Sequence, residues 1–165
     1  MIIYRLKINS DADIASAKEL IDSGAKWLML SVAKNVDGSV LDAISALCKE
    51  AEVIMTVEGD MERLESTHCH GIHLLPGTVH PRIVREKLGA EPIVGCTVST
   101  PAEVIALRGA DVDYVLISGN EISLEEFAAA VHDAKVDIRM VVEVKDNDEN
   151  HINELLKTGI DGVIY

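Results

Sequence analysis

The sequence predicts a compact, shortened (βα)8 TIM-type barrel of the α/β class, a single domain over residues 1–165, on three observations. Eight short apolar runs alternate with amphipathic helical patterns. The runs start roughly 19 to 25 residues apart, a spacing that itself reads as a repeat. Four segments that join a helix end to a strand also resemble one another: Ser23-Gly24-Ala25-Lys26-Trp27-Leu28, Cys69-His70-Gly71-Ile72-His73-Leu74, Asp111-Val112-Asp113-Tyr114-Val115 and Thr158-Gly159-Ile160-Asp161-Gly162-Val163. They precede only the even-numbered strands, so the period is a βαβα pair repeated four times.

Each element has its own warrant. The strands are predicted at 2–8, 27–32, 53–57, 72–75, 93–98, 114–117, 138–144 and 162–165. Between the first two runs, residues 11–23 place Ile14, Ala17, Leu20 and Ile21 on one stripe. Residues 39–50 do the same with Val40, Ile44 and Leu47, and 81–88 with Ile83, Val84 and Leu88. Helices over 101–108, 123–134 and 147–157 complete the set. Thr100-Pro101 sets a cap residue before a proline, with Glu103 at the third helical position, and Ser123-Leu124-Glu125-Glu126 reads as a capping box. Gly24, Gly89 and Gly159 fall where helices end. The chain stops at Tyr165, inside or just after the eighth run, so the predicted barrel lacks its final helix. An uncovered strand or unpaired edge there favours self-association, and a homo-oligomer is expected. Two other architectures share some of these features. A leucine-rich solenoid has a similar period without the matching leucine frame, and a five-stranded doubly wound sheet suits the length.

Composition narrows the function classes. The chain has 165 residues, 48% hydrophobic, with 28 acidic against 15 basic side chains and a net charge of −13. Such a surface repels phosphate backbones and anionic lipid, so neither nucleic acid nor membrane is an expected partner. No apolar run approaches the ~18–20 residues of a membrane span. The N-terminal run alternates charged and apolar residues, unlike a signal peptide. Cys48, Cys69 and Cys96 are odd in number and widely spaced, which fits a reducing cytoplasm.

Candidate site residues cluster at strand ends. Glu58 and Asp60 follow the third strand, at the barrel end where active sites form. As a pair they suit acid–base work or cation binding, and as a solvated loop they suit nothing in particular. Thr97, Ser99 and Thr100 lie at the same barrel end, in and just after the fifth strand, placed for hydrogen bonds to a phosphate or for ordinary capping. Ser118 and Asn120 end the sixth strand, placed to line a pocket or to make a turn. His68, Cys69, His70, His73 and His80 are the densest group of potential metal ligands. Their spacing matches no ligand frame, so they read as surface histidines plus one interior polar residue, His73, and no metal site is predicted. Trp27, the one tryptophan, reads as packing.

From about Val53 onward the chain resembles the thiamine phosphate synthase family, including its thiazole tautomerase branch. The resemblance is carried by His68-Cys69-His70-Gly71-Ile72-His73-Leu74 at the fourth strand, Ile93-Val94-Gly95-Cys96-Thr97-Val98-Ser99-Thr100-Pro101-Ala102-Glu103 at the fifth, Val112-Asp113-Tyr114-Val115-Leu116-Ile117-Ser118-Gly119 at the sixth and Gly159-Ile160-Asp161-Gly162-Val163 at the eighth. Leu75-Pro76-Gly77-Thr78 is nearer the tautomerase branch. The resemblance implies an enzyme of thiamine biosynthesis acting on thiazole phosphate, either a transferase with Mg²⁺ or an isomerase. It implies catalytic roles for Glu58, Asp60 and Ser99, and substrate contacts from His73, Thr97, Thr100, Ser118 and Asn120.

The chain also departs from the family pattern. Glu58-Gly59-Asp60 stands where the family has an Asn-Asp-Arg-like group, and Thr78 stands near the place of a second aspartate. Gly119-Asn120-Glu121 replaces a long phosphate-gripping loop, and Glu143-Val144-Lys145-Asp146 replaces a Gly-Gly turn. Ser99 occupies the position of the tautomerase histidine. These departures leave open a non-catalytic relative that binds a small phosphorylated ligand or a protein partner. The shortness falls on the loop after the sixth strand and on the final helix. Units average roughly 21 residues against ~31 in a ~250-residue barrel.

Overall fold

The computed structural model describes residues 1–59, 61–119, 121–145 and 148–165. Eight parallel strands close into a barrel in chain order. They are β1 (Ile2–Ile8), β2 (Trp27–Val32), β3 (Ile54–Gly59), β4 (Gly71–Leu74), β5 (Ile93–Val98), β6 (Tyr114–Ile117), β7 (Arg139–Glu143) and β8 (Gly162–Ile164). The helices between them are α1 (Asp13–Asp22), α2 (Gly38–Glu50), α3 (Met61–Glu65), α4 (Pro81–Leu88), α5 (Pro101–Ala106), α6 (Leu124–Asp133) and α7 (Glu149–Lys157). The order ends on β8, which pairs with both β7 and β1. The strand therefore has no unpaired edge, and that ground for self-association falls away.

The start of β3 and the helix α3 differ from the sequence reading for local reasons. Glu52 adopts a left-handed conformation (φ 53°), so β3 starts after it. Val53 is held instead to the end of α2, its N–H donating to the Cys48 carbonyl at 2.8 Å. The helix α3 has no counterpart in the sequence reading. It has five residues and buries one side chain, Leu64, which is too little to create a periodic pattern.

The alternation of strand side chains divides the interior in two. Outward-facing residues such as Leu28, Met55, Ile72, Val94, Val115 and Val163 pack against the helices as one large core. Inward-facing Ile3, Met29, Tyr114, Leu116, Val141 and Ile164 fill the barrel itself. Gly95 sits beside Tyr114 in the β5–β6 register. A Cβ on Gly95 would lie 2.1 Å from the Tyr114 Cζ, so only glycine leaves room for that ring.

The fourfold sequence repeat has a physical basis at the barrel floor. The residue just before β6, Asp113, accepts the Val94 N–H through Oδ2 at 2.7 Å. Asp161, just before β8, accepts the Met140 N–H at 2.7 Å. Before β4 the His70 Nδ1 does the same for the Met55 N–H at 3.0 Å. In three of the four quarters, then, the lead into the even strand satisfies a backbone donor at the start of the preceding odd strand. Asp113 is held in turn by Arg85 Nη2 at 2.7 Å. The capping boxes at Thr100–Glu103 and Ser123–Glu126 both form, and no helix among the described residues is long and apolar enough to cross a membrane.

Candidate functional site

Toward the C-terminal end of the strands the barrel filling turns polar. Arg5 of β1 reaches two carboxylates from opposite parts of the barrel. Its Nε lies 2.8 Å from Glu58 Oε1 of β3, and its Nη1 donates to Glu143 Oε1 of β7 at 2.8 Å. The Glu58 side chain is 10% exposed and that of Glu143 is 55% exposed, so the strut runs from the interior out to the mouth. Arginine suits this place because its planar fork presents several donors and keeps its charge when buried.

Next to Glu58 in the β3–β4 register lies His73. It is completely buried. Its Nδ1 is 3.0 Å from the Tyr114 hydroxyl and its Nε2 is 3.0 Å from Thr97 Oγ1. Burial, reinforced by the positive charge of Arg5, pulls the imidazole down from the usual 6.5 to about 3. It is neutral at physiological pH, so one ring nitrogen donates while the other accepts. Burial, followed by the Glu58 charge, raises the Tyr114 phenol well above its ordinary value, so it remains protonated. The result is a continuous hydrogen-bonded chain from Tyr114 in the barrel centre through His73 to Thr97. Below it, Trp27 Nε1 donates to Thr56 Oγ1 at 3.0 Å, and the Trp27 and Tyr114 rings meet edge to face at 5.5 Å.

Of the residues singled out in the sequence, Glu58, His73 and Thr97 belong to this interior network. Thr100 is engaged as a helix cap: its Oγ1 accepts the Glu103 N–H at 3.3 Å. The Ser99 N–H donates to Glu103 Oε2 at 2.5 Å, which leaves its exposed hydroxyl at the rim. Ser118 is also exposed. It lines a cleft of about 310 Å³ beside the mouth, shared with Glu143 of β7 and His151 of α7. Thr97 borders a different, apolar cleft of about 280 Å³ between the β4–α4 loop and α5. Asp60 and Asn120 lie outside the described residues.

Sequence reasoning missed Arg5, Glu143 and Tyr114 as members of the site. The signal for Arg5 was available: Arg5 and Lys7 stand two apart on a strand that a barrel buries on both faces, so Arg5 must point inward and find a partner.

His68 is exposed, 3.3 Å from Asp42 Oδ1, and His80 caps α4 by accepting the Arg82 N–H at 3.2 Å. No group of three metal-ligating side chains occurs among the described residues. All three cysteines are free, and burial pushes Cys48 and Cys96 up to about 11, away from thiolate chemistry.

Mg²⁺, which the family resemblance implies for synthase chemistry, does not fit the described residues. It requires several oxygen ligands in near-octahedral array. Here Glu58 and Glu143 are engaged by Arg5, and the Thr78 hydroxyl donates to the Leu75 carbonyl at 2.6 Å.

Comparison with known proteins places the chain. It is 29% identical over 117 residues to the thiamine biosynthesis bifunctional protein ThiED of Geobacter sulfurreducens, a match covering 68% of this chain and 24% of that protein. It is 30% identical over 110 residues to the thiamine-phosphate synthase of Chlorobium limicola, covering 64% of this chain and 52% of the relative. Among solved structures it resembles thiamine phosphate pyrophosphorylase from Pyrococcus furiosus. The TM-score is 0.79 at 19% identity, with 99% of this chain and 84% of that one covered, a likeness of fold alone. The thiamine monophosphate synthase family matches residues 1–165, and the chain belongs to that family.

Proposed function

We propose that the barrel mouth binds a small phosphorylated ligand of thiamine biosynthesis, with thiazole phosphate the best candidate. The observation that supports this reading is the buried polar network of Arg5, Glu58, Glu143, His73, Thr97 and Tyr114. A barrel that needed only stability would fill these positions with branched aliphatic residues. Replacing buried ion pairs by apolar side chains is often neutral or stabilising, so the network's presence favours a role in recognition. In this reading Arg5 and Glu58 orient the ligand. Thr97, with its hydroxyl fixed by His73, and the rim residues Ser99 and Ser118 supply hydrogen bonds. Thr100 contributes through the helix it caps.

Catalysis by this mouth takes one of two forms. The transferase form joins thiazole phosphate to a pyrimidine diphosphate, and the isomerase form moves a proton on the thiazole. A second reading, a non-catalytic ligand-binding or protein-interaction relative, is favoured by the engagement of Glu58 and Glu143 with Arg5. Isothermal titration with thiazole phosphate and with the pyrimidine diphosphate tests binding, and a thiamine phosphate assay separates the readings. Binding without turnover supports the second. Absence of heat with either compound overturns the ligand assignment. The protein is further proposed to be cytoplasmic and to self-associate. Its β8–β1 outer face offers the exposed Ile2 and the stacked Tyr4 and Tyr165 rings. Sedimentation at tens of micromolar showing monomer alone refutes self-association.

A further inference from the structure

Three facts about the mouth bear on its counter-ions. The guanidinium of Arg5 touches Glu58 and Glu143 through two different nitrogens, each at 2.8 Å. These carboxylates come from β3 and β7, so the cation sits between strands on opposite parts of the barrel. The Glu58 side chain is nearly buried, at 10% exposure, where an unpaired charge is strongly disfavoured.

We propose that Arg5 is the resident counter-ion of the mouth, occupying the carboxylate cradle that would otherwise attract a divalent cation, so that ligand binding there does not depend on Mg²⁺. The physical argument is one of exclusion. A divalent cation uses carboxylate oxygens as ligands and needs them free of other strong donors. One oxygen of Glu58 already faces the guanidinium as an ion pair at 2.8 Å, and one oxygen of Glu143 accepts the Arg5 Nη1 hydrogen bond. Bringing a doubly charged ion to the same oxygens would set it against the guanidinium at close range in a partly dry site, where like charges repel strongly. Arginine cannot relieve this by losing its proton. The ligand class that suits such a mouth is a phosphate monoester arriving without a metal. A diphosphate carried as its Mg²⁺ complex does not suit it.

The inference rests on the counter-ion of the mouth, so its test needs no thiazole compound and can fail independently of the function proposed above. The probe is Mn²⁺ itself, followed by the relaxation of water protons, on wild type and on Arg5→Met, Glu58→Gln and the Arg5→Met/Glu58→Gln double variant. Wild type is expected to show only weak binding that Glu58→Gln leaves unchanged, as diffuse attraction to an acidic surface predicts. Arg5→Met is expected to bind Mn²⁺ roughly tenfold tighter than wild type, and the double variant to lose that gain. Wild-type binding that disappears in Glu58→Gln overturns the proposal, as does a folded Arg5→Met protein with no gain. If Arg5→Met fails to fold, the comparison of wild type with Glu58→Gln still decides it.

Discussion

Replacing His73 with glutamine is expected to remove a specific acid sensitivity from the fold. The imidazole is fully buried and its affinity for a proton is depressed from 6.5 to about 3. In the unfolded chain it titrates normally. Below pH 6.5 the unfolded state therefore takes up a proton that the native state refuses, and stability falls with falling pH. The stabilisation is complete above that value and drains away toward pH 3. From about pH 7 to about pH 5 the loss at this single position is about 2 kcal/mol, from one proton over roughly one and a half pH units. Glutamine offers a donor and an acceptor to Tyr114 and Thr97 but does not titrate. At neutral pH the variant is expected to be about 1–3 kcal/mol less stable, because its amide cannot reproduce both contacts. Urea unfolding of both proteins at the two pH values isolates the effect, since every other titrating group is common to both. The wild-type advantage should shrink by about 2 kcal/mol between the two conditions. An advantage that stays constant within about 0.5 kcal/mol refutes the reasoning.

Three more substitutions follow from the geometry. Gly95→Ala places a methyl 2.1 Å from the Tyr114 ring and should cost at least about 3 kcal/mol or abolish folding, read by thermal melting. Gly38→Ala, at the start of α2 with nothing within 4 Å, should be neutral or stabilising by about 0.5 kcal/mol in the same assay. Asp113→Ala removes the acceptor for both Arg85 and the Val94 N–H and should cost about 3 kcal/mol by urea unfolding.

The barrel was legible because its period is written twice, once in apolar runs and again in the leads to even strands. Those leads carry Asp113 and Asp161, whose carboxylates do the same job at equivalent places, so the resemblance between segments was physical. The capping boxes were equally plain, because capping is local chemistry between residues three apart. The site was only half legible. Strand position places Glu58 and Thr97 at the active end of the barrel and His73 in its interior. Arg5 and Glu143 are 138 residues apart, and nothing local in either segment announces the other. Only the closed topology joins them. The short α3 escaped because one buried leucine makes no periodicity.

The seam between β1 and β8 has a consequence for how the chain folds. Hydrogen bonds between most neighbouring strands link residues close in sequence, such as the 19 separating Val94 from Asp113 and the 21 separating Met140 from Asp161. At the seam the Met1 amino group bonds to the Asp161 carbonyl across 160 residues. Closing a loop some eight times longer costs about 2 kcal/mol more chain entropy. Strands are therefore expected to add in order, each on its neighbour, with closure of the seam as the last and slowest pairing. Arg5 spans that seam to reach Glu143, so the same side chain that furnishes the mouth also latches the ring once it has closed.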